Sequence, residues 1–195
     1  MKPVTRARAD AARRLGPVSD TARLDAELLL AEALGIDRDR LLLKPPDRDV
    51  PGRFWAMVER RSAGEPVAYI TGRRAFWDIE LHVGPGVLIP RPDSEVLIAS
   101  ALDHFAGTPG PERVLDLGTG PGTLLLAALD LWPRATGIGV DASRQALSYA
   151  AANARRLGFE DRLRLQLGDW AQGINERFDL ILCNPPYIAD GAALG

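Results

Sequence analysis

The sequence has only one cysteine, Cys183, among its 195 residues. A single thiol cannot form an internal disulfide, which excludes a disulfide-stabilised secreted scaffold and suits a reducing compartment. Cys183 ends the apolar run 178–183, where a buried, unreactive thiol is more common than a nucleophile. We therefore expect Cys183 to be buried and to take no part in chemistry.

Long apolar runs and a signal peptide are also missing. The leucine-rich stretches 28–31 and 41–43 are bracketed by charged residues, so neither approaches the roughly 20 residues that a membrane-spanning helix needs. The N-terminal stretch 1–15 carries several arginines and no apolar core. We expect a cytoplasmic protein with no membrane partner.

An excess of one charge is the third feature that the sequence lacks. It has 24 basic against 26 acidic residues, whereas proteins that bind nucleic acid through phosphate contacts usually carry a basic excess. We therefore expect no direct nucleic-acid partner. Because 46% of the residues are hydrophobic, the chain can bury a sizeable core, and its length fits one large domain or two small ones.

The first third of the chain has helical periodicity. Apolar residues within 4–63 recur on one face of successive short segments that proline and glycine separate, which predicts three to five helices. Ser19 or Asp20 could cap one of these helices, and Gly35 could end it. We predict a helical domain over residues 1–70.

A change of character follows this helical region. The segments 74–77 and 79–83 alternate in the manner of two strands, with Asp78 near the turn between them. We predict a linker over residues 71–91 that contains this β-hairpin. Pro92 then suits the first position of a helix.

Strands and helices alternate in the rest of the chain, which predicts an α/β fold with a parallel sheet over residues 92–195. The predicted helices cover 124–131 and 143–157. The four predicted strands cover 114–117, 136–140, 163–167 and 178–183.

Three glycines lie between the first of these strands and the following helix. Gly118, Gly120 and Gly122 let the backbone approach a ligand and adopt torsions that other residues avoid. Asp141 closes the next strand, where an acid can bind both hydroxyls of a ribose, and Trp170 follows the third strand, where it could flank an adenine. This pattern indicates an adenosine-type cofactor. The spacing differs from the dinucleotide fingerprint, and no P-loop lysine follows it.

The sequence Asn-Pro-Pro-Tyr at 184–187 follows the fourth strand. The side-chain oxygen of Asn184 and the carbonyl of Pro185 could accept the two hydrogens of a planar NH₂ group, and Tyr187 could lie against the face of that group. Holding both hydrogens while the nitrogen pyramidalises favours its attack on an electrophile. A simple proline turn is the alternative interpretation, but the position after a strand and beside a nucleotide-type site favours a functional loop.

These motifs resemble the class I S-adenosylmethionine-dependent methyltransferases, and within them the N5-glutamine methyltransferases that modify bacterial peptide chain release factors. The segments 87–95, 114–122 and 184–187 carry the resemblance, and Asp141 and 168–170 support it. Asn-Pro-Pro-Tyr alone is shared with methyltransferases of adenine and other planar amines. The segment 87–95 makes the glutamine enzymes the specific match.

The resemblance implies a Rossmann-like class I methyltransferase domain over 92–195, preceded by a helical substrate-docking domain and a hairpin linker. It also implies S-adenosylmethionine as cofactor and the Gly-Gly-Gln tip of a release factor as substrate, with no metal and no covalent intermediate. Asp141 would hold the ribose, Trp170 would border the adenine, and Asn184 would meet both cofactor and substrate. The methionine half of the cofactor would be lined by Gly118, Thr119, Gly120, Pro121 and Gly122. The glutamine pocket would be completed by Pro185, Pro186 and Tyr187, with Asn184, Pro185 and Tyr187 as the catalytic set.

The sequence departs from the family pattern at two places. Pro121 stands where the family usually has Ser or Thr, and we expect a modest effect on cofactor affinity. The chain stops at Gly195, whereas family members continue, so we expect an incomplete sheet of order 3-2-1-4 with the fourth strand as an apolar edge. Two alternatives stay open: an N6-adenine methyltransferase acting on DNA or RNA, and a non-catalytic fragment that binds S-adenosylmethionine.

Overall fold

The structure, a computed structural model, describes residues 3–184 of the chain. The chain divides into two units, Met1–Gly72 and Arg73–Gly195. None of the helices between residues 3 and 184 has the length and apolar character that crossing a bilayer requires.

The described part of the first unit is helical. The second helix, α2, packs against each of the other four, and their apolar faces form one core whose fully buried members include Leu15, Leu29, Leu30, Phe54 and Val58. The unit therefore agrees with the predicted three to five helices. Its helices are α1 (Pro3–Leu15), α2 (Ala22–Leu34), α3 (Arg38–Leu43), α4 (Gly52–Ser62) and α5 (Val67–Thr71), with a 3₁₀ turn at Gly16–Val18.

The two ends of α2 test the capping predictions. Gly35 follows the helix in the left-handed conformation, with φ of 64°, and the prediction that it ends the helix is confirmed. The predicted cap by Ser19 or Asp20 is wrong, because Thr21 holds the N-cap position and makes no side-chain cap. The hydroxyl of Ser19 instead donates to the Asp25 carboxylate at 2.7 Å.

Arginines of the first unit neutralise two carboxylates buried in α2. Glu27 accepts hydrogen bonds from Arg38 at 2.7 and 2.9 Å and from Arg23 at 3.3 Å, and Asp25 accepts one from Arg61 at 2.7 Å. Burial alone would raise the pKa of Glu27, but the bonds with Arg38 and Arg23 outweigh it and lower that pKa. Several arginines of the first unit therefore bind carboxylates of the same unit.

The second unit begins with the predicted hairpin. Strands β1 (Arg73–Phe76) and β2 (Ile79–His82) pair in antiparallel fashion. Trp77 and Asp78 form the turn, and Trp77 adopts a positive φ of 52°. The hairpin prediction is confirmed to within one residue at each strand.

A four-stranded parallel sheet follows, which confirms the α/β fold class. Its order is β5-β4-β3-β6, the order predicted from the sequence. The strands are β3 (Arg113–Leu117), β4 (Thr136–Asp141), β5 (Leu163–Leu167) and β6 (Leu180–Cys183). The helices are α6 (Glu95–His104), α7 (Thr123–Leu131) and α8 (Arg144–Leu157), with 3₁₀ turns at Pro92–Ser94 and Glu160–Arg162.

The fourth strand, β6, differs from its prediction as a buried strand. Within the described residues it pairs only with β3, so one of its edges has no partner strand there. Leu182 is buried, but Ile181 is 59% exposed and Cys183 is exposed. The prediction that Cys183 is buried is therefore wrong, because an apolar sequence does not reveal whether both faces of its strand are covered.

Gly139 in β4 lies close to side chains of β5, of α7 and of the loop that follows β3. A Cβ atom added at Gly139 would lie 3.0 Å from Leu165 Cδ2, 3.0 Å from Thr119 Oγ1 and 3.1 Å from Leu125 Cδ2. These distances are shorter than comfortable van der Waals contact. Glycine at this position therefore lets the loop that follows β3 lie directly against β4.

Replacing Gly139 by alanine should destabilise the second unit. The added methyl group must displace Thr119 or a packed leucine, and overpacking of this kind costs about 1–3 kcal/mol. Urea unfolding followed by circular dichroism measures the loss. Gly168→Ala is the matched control, because its added Cβ would have no neighbour closer than 3.4 Å. Equal stability of both variants would contradict the packing argument.

Candidate functional site

The glycine loop, residues 118–122, is attached to the carboxyl end of β4. The backbone amides of Gly118 and Thr119 both donate to the Val140 carbonyl at 2.9 Å. The amide of Gly120 donates to Asp141 Oδ2 at 2.8 Å. Three successive amides therefore hold the loop against the neighbouring strand.

Glycine is required at the end of this loop for two reasons. Gly122 stands at the N-cap of α7 with φ of 89°, in the left-handed region that side chains disfavour. A Cβ atom there would also lie 2.7 Å from Leu126 Cδ1. The predicted role of these glycines in permitting unusual torsions agrees with the positive φ values of Gly118 and Gly120, 72° and 57°.

Asp141 lies where the sequence placed it, at the end of β4. Its Oδ2 accepts from Gly120, and its Oδ1 accepts from the amide of Ser143 at 2.8 Å. The Ser143 hydroxyl in turn caps α8 by accepting from the amide of Ala146. A carboxylate has about four acceptor positions, so Asp141 can hold the loop and still accept hydrogen bonds from a diol.

Asp116, which the sequence analysis did not single out, is a buried carboxylate beneath the glycine loop. It is 1% exposed, and its Oδ2 accepts from the Thr119 hydroxyl at 2.7 Å. Its Oδ1 has no hydrogen-bond partner within residues 3–184. Burial is the largest influence and raises the pKa of Asp116 to about 6, although the Thr119 hydroxyl and the Leu125 backbone act to lower that pKa. The charge of Asp141 makes a smaller contribution that raises it. The only sequence signal for Asp116 is an acid inside an otherwise apolar strand.

A small cavity of about 40 Å³ brings the three sequence motifs together. It has space for only a few non-hydrogen atoms, and Asp116 forms part of its wall. The segment 87–95 supplies one side, the glycine loop supplies another, and Asn184 closes it at the end of β6. The lining residues are Leu88, Pro90, Arg91, Ser94, Asp116, Gly118, Thr119, Gly120, Pro121, Thr123, Leu124 and Asn184.

Asn184 is held by a residue far away in the sequence. Its Nδ2 donates to Ser94 Oγ at 2.6 Å, and Ser94 is buried. Because the carboxamide nitrogen can only donate, the Asn184 oxygen is the group that can accept a hydrogen bond from a ligand. The predicted partners Pro185, Pro186 and Tyr187 lie outside the described residues.

Trp170 lies outside the small cavity, at the same edge of the sheet. Its side chain is 57% exposed, and its φ of 50° is unusual for a bulky residue. Gly168, just before it, donates its amide to the Asp141 carbonyl at 3.1 Å. An exposed indole in a constrained turn near Asp141 suits stacking against a planar ring.

The described residues contain neither a cluster of metal-binding side chains nor an activated thiol. Within residues 3–184, no group of three or more histidine, cysteine and acidic side chains is arranged to hold a metal ion. Partial burial and the charge of Asp116 raise the pKa of the Cys183 thiol. The thiol is therefore protonated at neutral pH.

Comparisons with known proteins match both units. Residues 6–72 match the family model described as the PrmC N-terminal domain, and residues 111–193 match a methyltransferase domain. The release factor glutamine methyltransferase of Aliivibrio fischeri is 43% identical over 87% of this chain and 61% of the relative. That of Cereibacter sphaeroides is 46% identical over 87% of this chain and 60% of the relative. That of Moorella thermoacetica is 37% identical over 95% of this chain and 67% of the relative.

Asp116→Asn should stabilise the ligand-free protein at neutral pH. The pKa of this carboxyl rises from 3.8 to about 6 on folding, so the folded state binds its proton more tightly. Stability therefore falls as pH rises from about 4 through about 6, by about 3 kcal/mol for a shift of this size. The asparagine variant lacks this loss, so its advantage should be largest above about pH 7 and vanish near pH 4.

Urea unfolding of the parent and of Asp116→Asn across this pH range measures the difference in their free energies of unfolding. The control is Asp130→Asn, because Asp130 is an exposed carboxylate on α7 whose replacement should change stability by less than about 0.5 kcal/mol. A variant that is less stable than the parent at neutral pH would contradict the prediction that the buried charge of Asp116 is a net cost to folding.

Proposed function

The chain belongs to the release factor glutamine methyltransferase family, and from this premise we propose that it methylates the glutamine of the Gly-Gly-Gln motif in bacterial peptide chain release factors. The methyl donor is S-adenosylmethionine, and the acceptor is the N5 nitrogen of the side-chain amide. The chain spans about 60% of the length of two curated relatives that it matches. The observation that carries the proposal is the meeting of three separate motifs around one cavity beside Asp116.

The residues around the glycine loop fit the chemical groups of S-adenosylmethionine. The donor carries positive charge on its sulfonium and ammonium groups, and Asp116 offers a buried carboxylate with one unpartnered oxygen. Asp141 has acceptor capacity for the ribose hydroxyls, and the exposed Trp170 offers a face for the adenine. The loop glycines at 118, 120 and 122 let the backbone lie close to the methionine portion.

Asn184 would orient the amide that receives the methyl group. When bound, S-adenosylmethionine supplies a methyl group that is already activated as an electrophile. The amide nitrogen of glutamine is a poor nucleophile because its lone pair is delocalised. The Asn184 oxygen, fixed by the bond between Asn184 and Ser94, would accept one hydrogen of that amide, and the Pro185 carbonyl is predicted to accept the other.

Positioning supplies the catalysis in this mechanism. The methyl group that S-adenosylmethionine supplies would pass to the amide nitrogen of glutamine, with the thioether S-adenosylhomocysteine as the leaving group and one proton of the nitrogen released to water. The residues of this chain would hold the two reactants in position for that transfer. Asn184 and Pro185 favour the pyramidal nitrogen of the transition state over the planar ground state. Tyr187 and Pro186 would complete the walls of the glutamine pocket.

Each of the three segments of the chain has its own role in this proposal. The helical domain over residues 1–70 docks the release factor, the linker over 71–91 joins it to the catalytic domain, and residues 92–195 bind S-adenosylmethionine. We propose that the reaction takes place in the cytoplasm, a reducing compartment that the single cysteine suits. The balanced charge of 24 basic and 26 acidic residues supports a protein substrate over a nucleic acid.

Asn184→Ala should abolish methyl transfer to the release factor. Removing one preorganised group that contacts the reacting atoms typically costs at least about a hundredfold in rate. The measurement is mass spectrometry of the tryptic peptide that contains Gly-Gly-Gln, after incubation with S-adenosylmethionine. Ser94→Ala should lower the rate by roughly tenfold, because Asn184 loses its hydrogen-bond partner. Ser148→Ala, an exposed position on α8, is the matched control.

The same assay separates the alternatives. Near-parental transfer by Asn184→Ala would contradict the mechanism. Methyl transfer to unmethylated DNA or RNA, with none to the release factor, would favour an adenine methyltransferase. Calorimetric binding of S-adenosylmethionine without turnover on either substrate would favour a non-catalytic fragment.

A further inference from the structure

Asn153 is a fully buried polar residue on α8 that no part of the proposed reaction uses. It is 0% exposed, and its carboxamide makes three hydrogen bonds. Its Oδ1 accepts from the amide of His82 at 2.7 Å, and its Nδ2 donates to the carbonyls of His82 at 3.0 Å and Pro121 at 2.9 Å. The oxygen faces a donor and the nitrogen faces two acceptors, so the chemistry fixes which way the amide points.

Asn153 forms hydrogen bonds with the edge of strand β2 that does not pair with β1. Strand β2 pairs with β1, and the amide and carbonyl of His82 point away from that partner toward α8. The planar carboxamide of Asn153 therefore replaces a neighbouring strand at this position, because it offers one donor and one acceptor to the same residue. Its second hydrogen reaches the glycine loop at Pro121.

Two more residues on the same face of α8 hold the chain that follows β2. Gln145, Tyr149 and Asn153 are spaced by four residues, which places them on one face of a helix. Gln145 Nε2 donates to the Pro85 carbonyl at 2.8 Å, and the Tyr149 hydroxyl packs directly against Gly84. The segment 82–86 is thus fixed along α8 over two helical turns.

The two ends of this connection lead to two different sets of residues that line the cavity. The segment 82–86 leads into Leu88, Pro90, Arg91 and Ser94, which line one wall. Pro121 belongs to the glycine loop, which lines another. Ser94 in turn holds Asn184. The Asn153 carboxamide is therefore a single rigid group bonded to the backbone on both sides of the site.

We propose that Asn153 is a positioning residue that ties the glycine loop to the wall formed by residues 82–94, so that binding of S-adenosylmethionine at the loop also orders the wall that holds Asn184. The proposal rests on the proposed function only in taking S-adenosylmethionine, or its product S-adenosylhomocysteine, as the ligand of the loop. The attachment of His82 to Asn153 can be tested without any ligand.

Two substitutions test the connection in the full chain. Asn153→Leu has a similar volume and loses all three bonds. Asn153→Asp keeps the acceptor for the His82 amide but loses both donors and faces two carbonyl oxygens with a charge. We expect both variants to bind S-adenosylhomocysteine roughly tenfold more weakly by calorimetry, because the glycine loop loses its attachment to residue 153 and ligand binding must then include the cost of ordering the loop. Ala154→Gly is the control, since it weakens the same helix without touching the three bonds and should keep the parental affinity.

Hydrogen exchange provides the readout that a loss of stability alone would not give. In the parent, S-adenosylhomocysteine should slow amide exchange in both 117–124 and 82–94. In the Asn153 variants it should slow exchange in 117–124 only, whereas Ala154→Gly should behave as the parent. Without ligand, the His82 amide should exchange slowly in the parent and in Asn153→Asp, which keeps its acceptor, and rapidly in Asn153→Leu.

The outcomes are distinct for the two proposals. If the parent binds neither S-adenosylmethionine nor S-adenosylhomocysteine, the proposed function fails while the ligand-free exchange of His82 still tests the attachment. If the Asn153 variants retain parental affinity and ligand-induced protection of 82–94, the positioning role is wrong. Should neither Asn153 variant fold, the parent still tests the proposal, because S-adenosylhomocysteine that slows exchange in 117–124 but leaves exchange in 82–94 unchanged would overturn it.

Discussion

The attachment of the glycine loop to the end of β4 is the constraint on which the site depends. The amides of Gly118 and Thr119 share the Val140 carbonyl, and the amide of Gly120 binds the Asp141 carboxylate. All of these partners belong to the protein, so the shape of the loop does not require contacts with a ligand. A preformed loop lowers the ordering cost of binding. Glycine at 139 is part of the same constraint, because it lets Thr119 lie against the strand.

Asp141 extends this constraint to the rest of the second unit. Its other oxygen binds the amide of Ser143, which starts α8, and α8 then reaches the hairpin through Asn153. One carboxylate thus binds both the glycine loop and the start of the helix that holds the segment 82–86. A residue expected to bind ribose also organises the protein around it, so loss of activity on its replacement would not by itself reveal a direct contact.

Local signals in the sequence were sufficient for most of the fold. Gly35 ends α2 in the left-handed conformation, and the alternation of strands and helices predicted the parallel sheet and its order. The glycine triplet and Asp141 were also recognisable, because their spacing along one β-α-β segment reflects their proximity. These features depend on residues that are close in sequence.

The contacts that sequence reasoning missed join distant residues. Ser94 and Asn184 are 90 positions apart, and His82 and Asn153 are 71 apart. An asparagine in an alanine-rich helix gives no sign of whether it faces solvent or a strand edge. The exposure of Cys183 was missed for the same reason, since an apolar strand has the same sequence pattern at the edge of a sheet as in its centre.

Asp116 is a carboxylate at a buried strand position where the rules that predict a core expect an apolar residue. An apolar residue in the middle of β3 would satisfy the strand pattern and avoid the cost of burying a carboxylate, which is visible in a pKa raised to about 6. The carboxylate nevertheless faces a cavity, with one oxygen unpartnered in the part of the chain that the structure describes. A positively charged ligand would offset that cost only when bound, so burial of the charge would convert instability of the free protein into affinity for such a ligand. Positions where a sequence breaks its own local pattern are therefore the ones most informative about function.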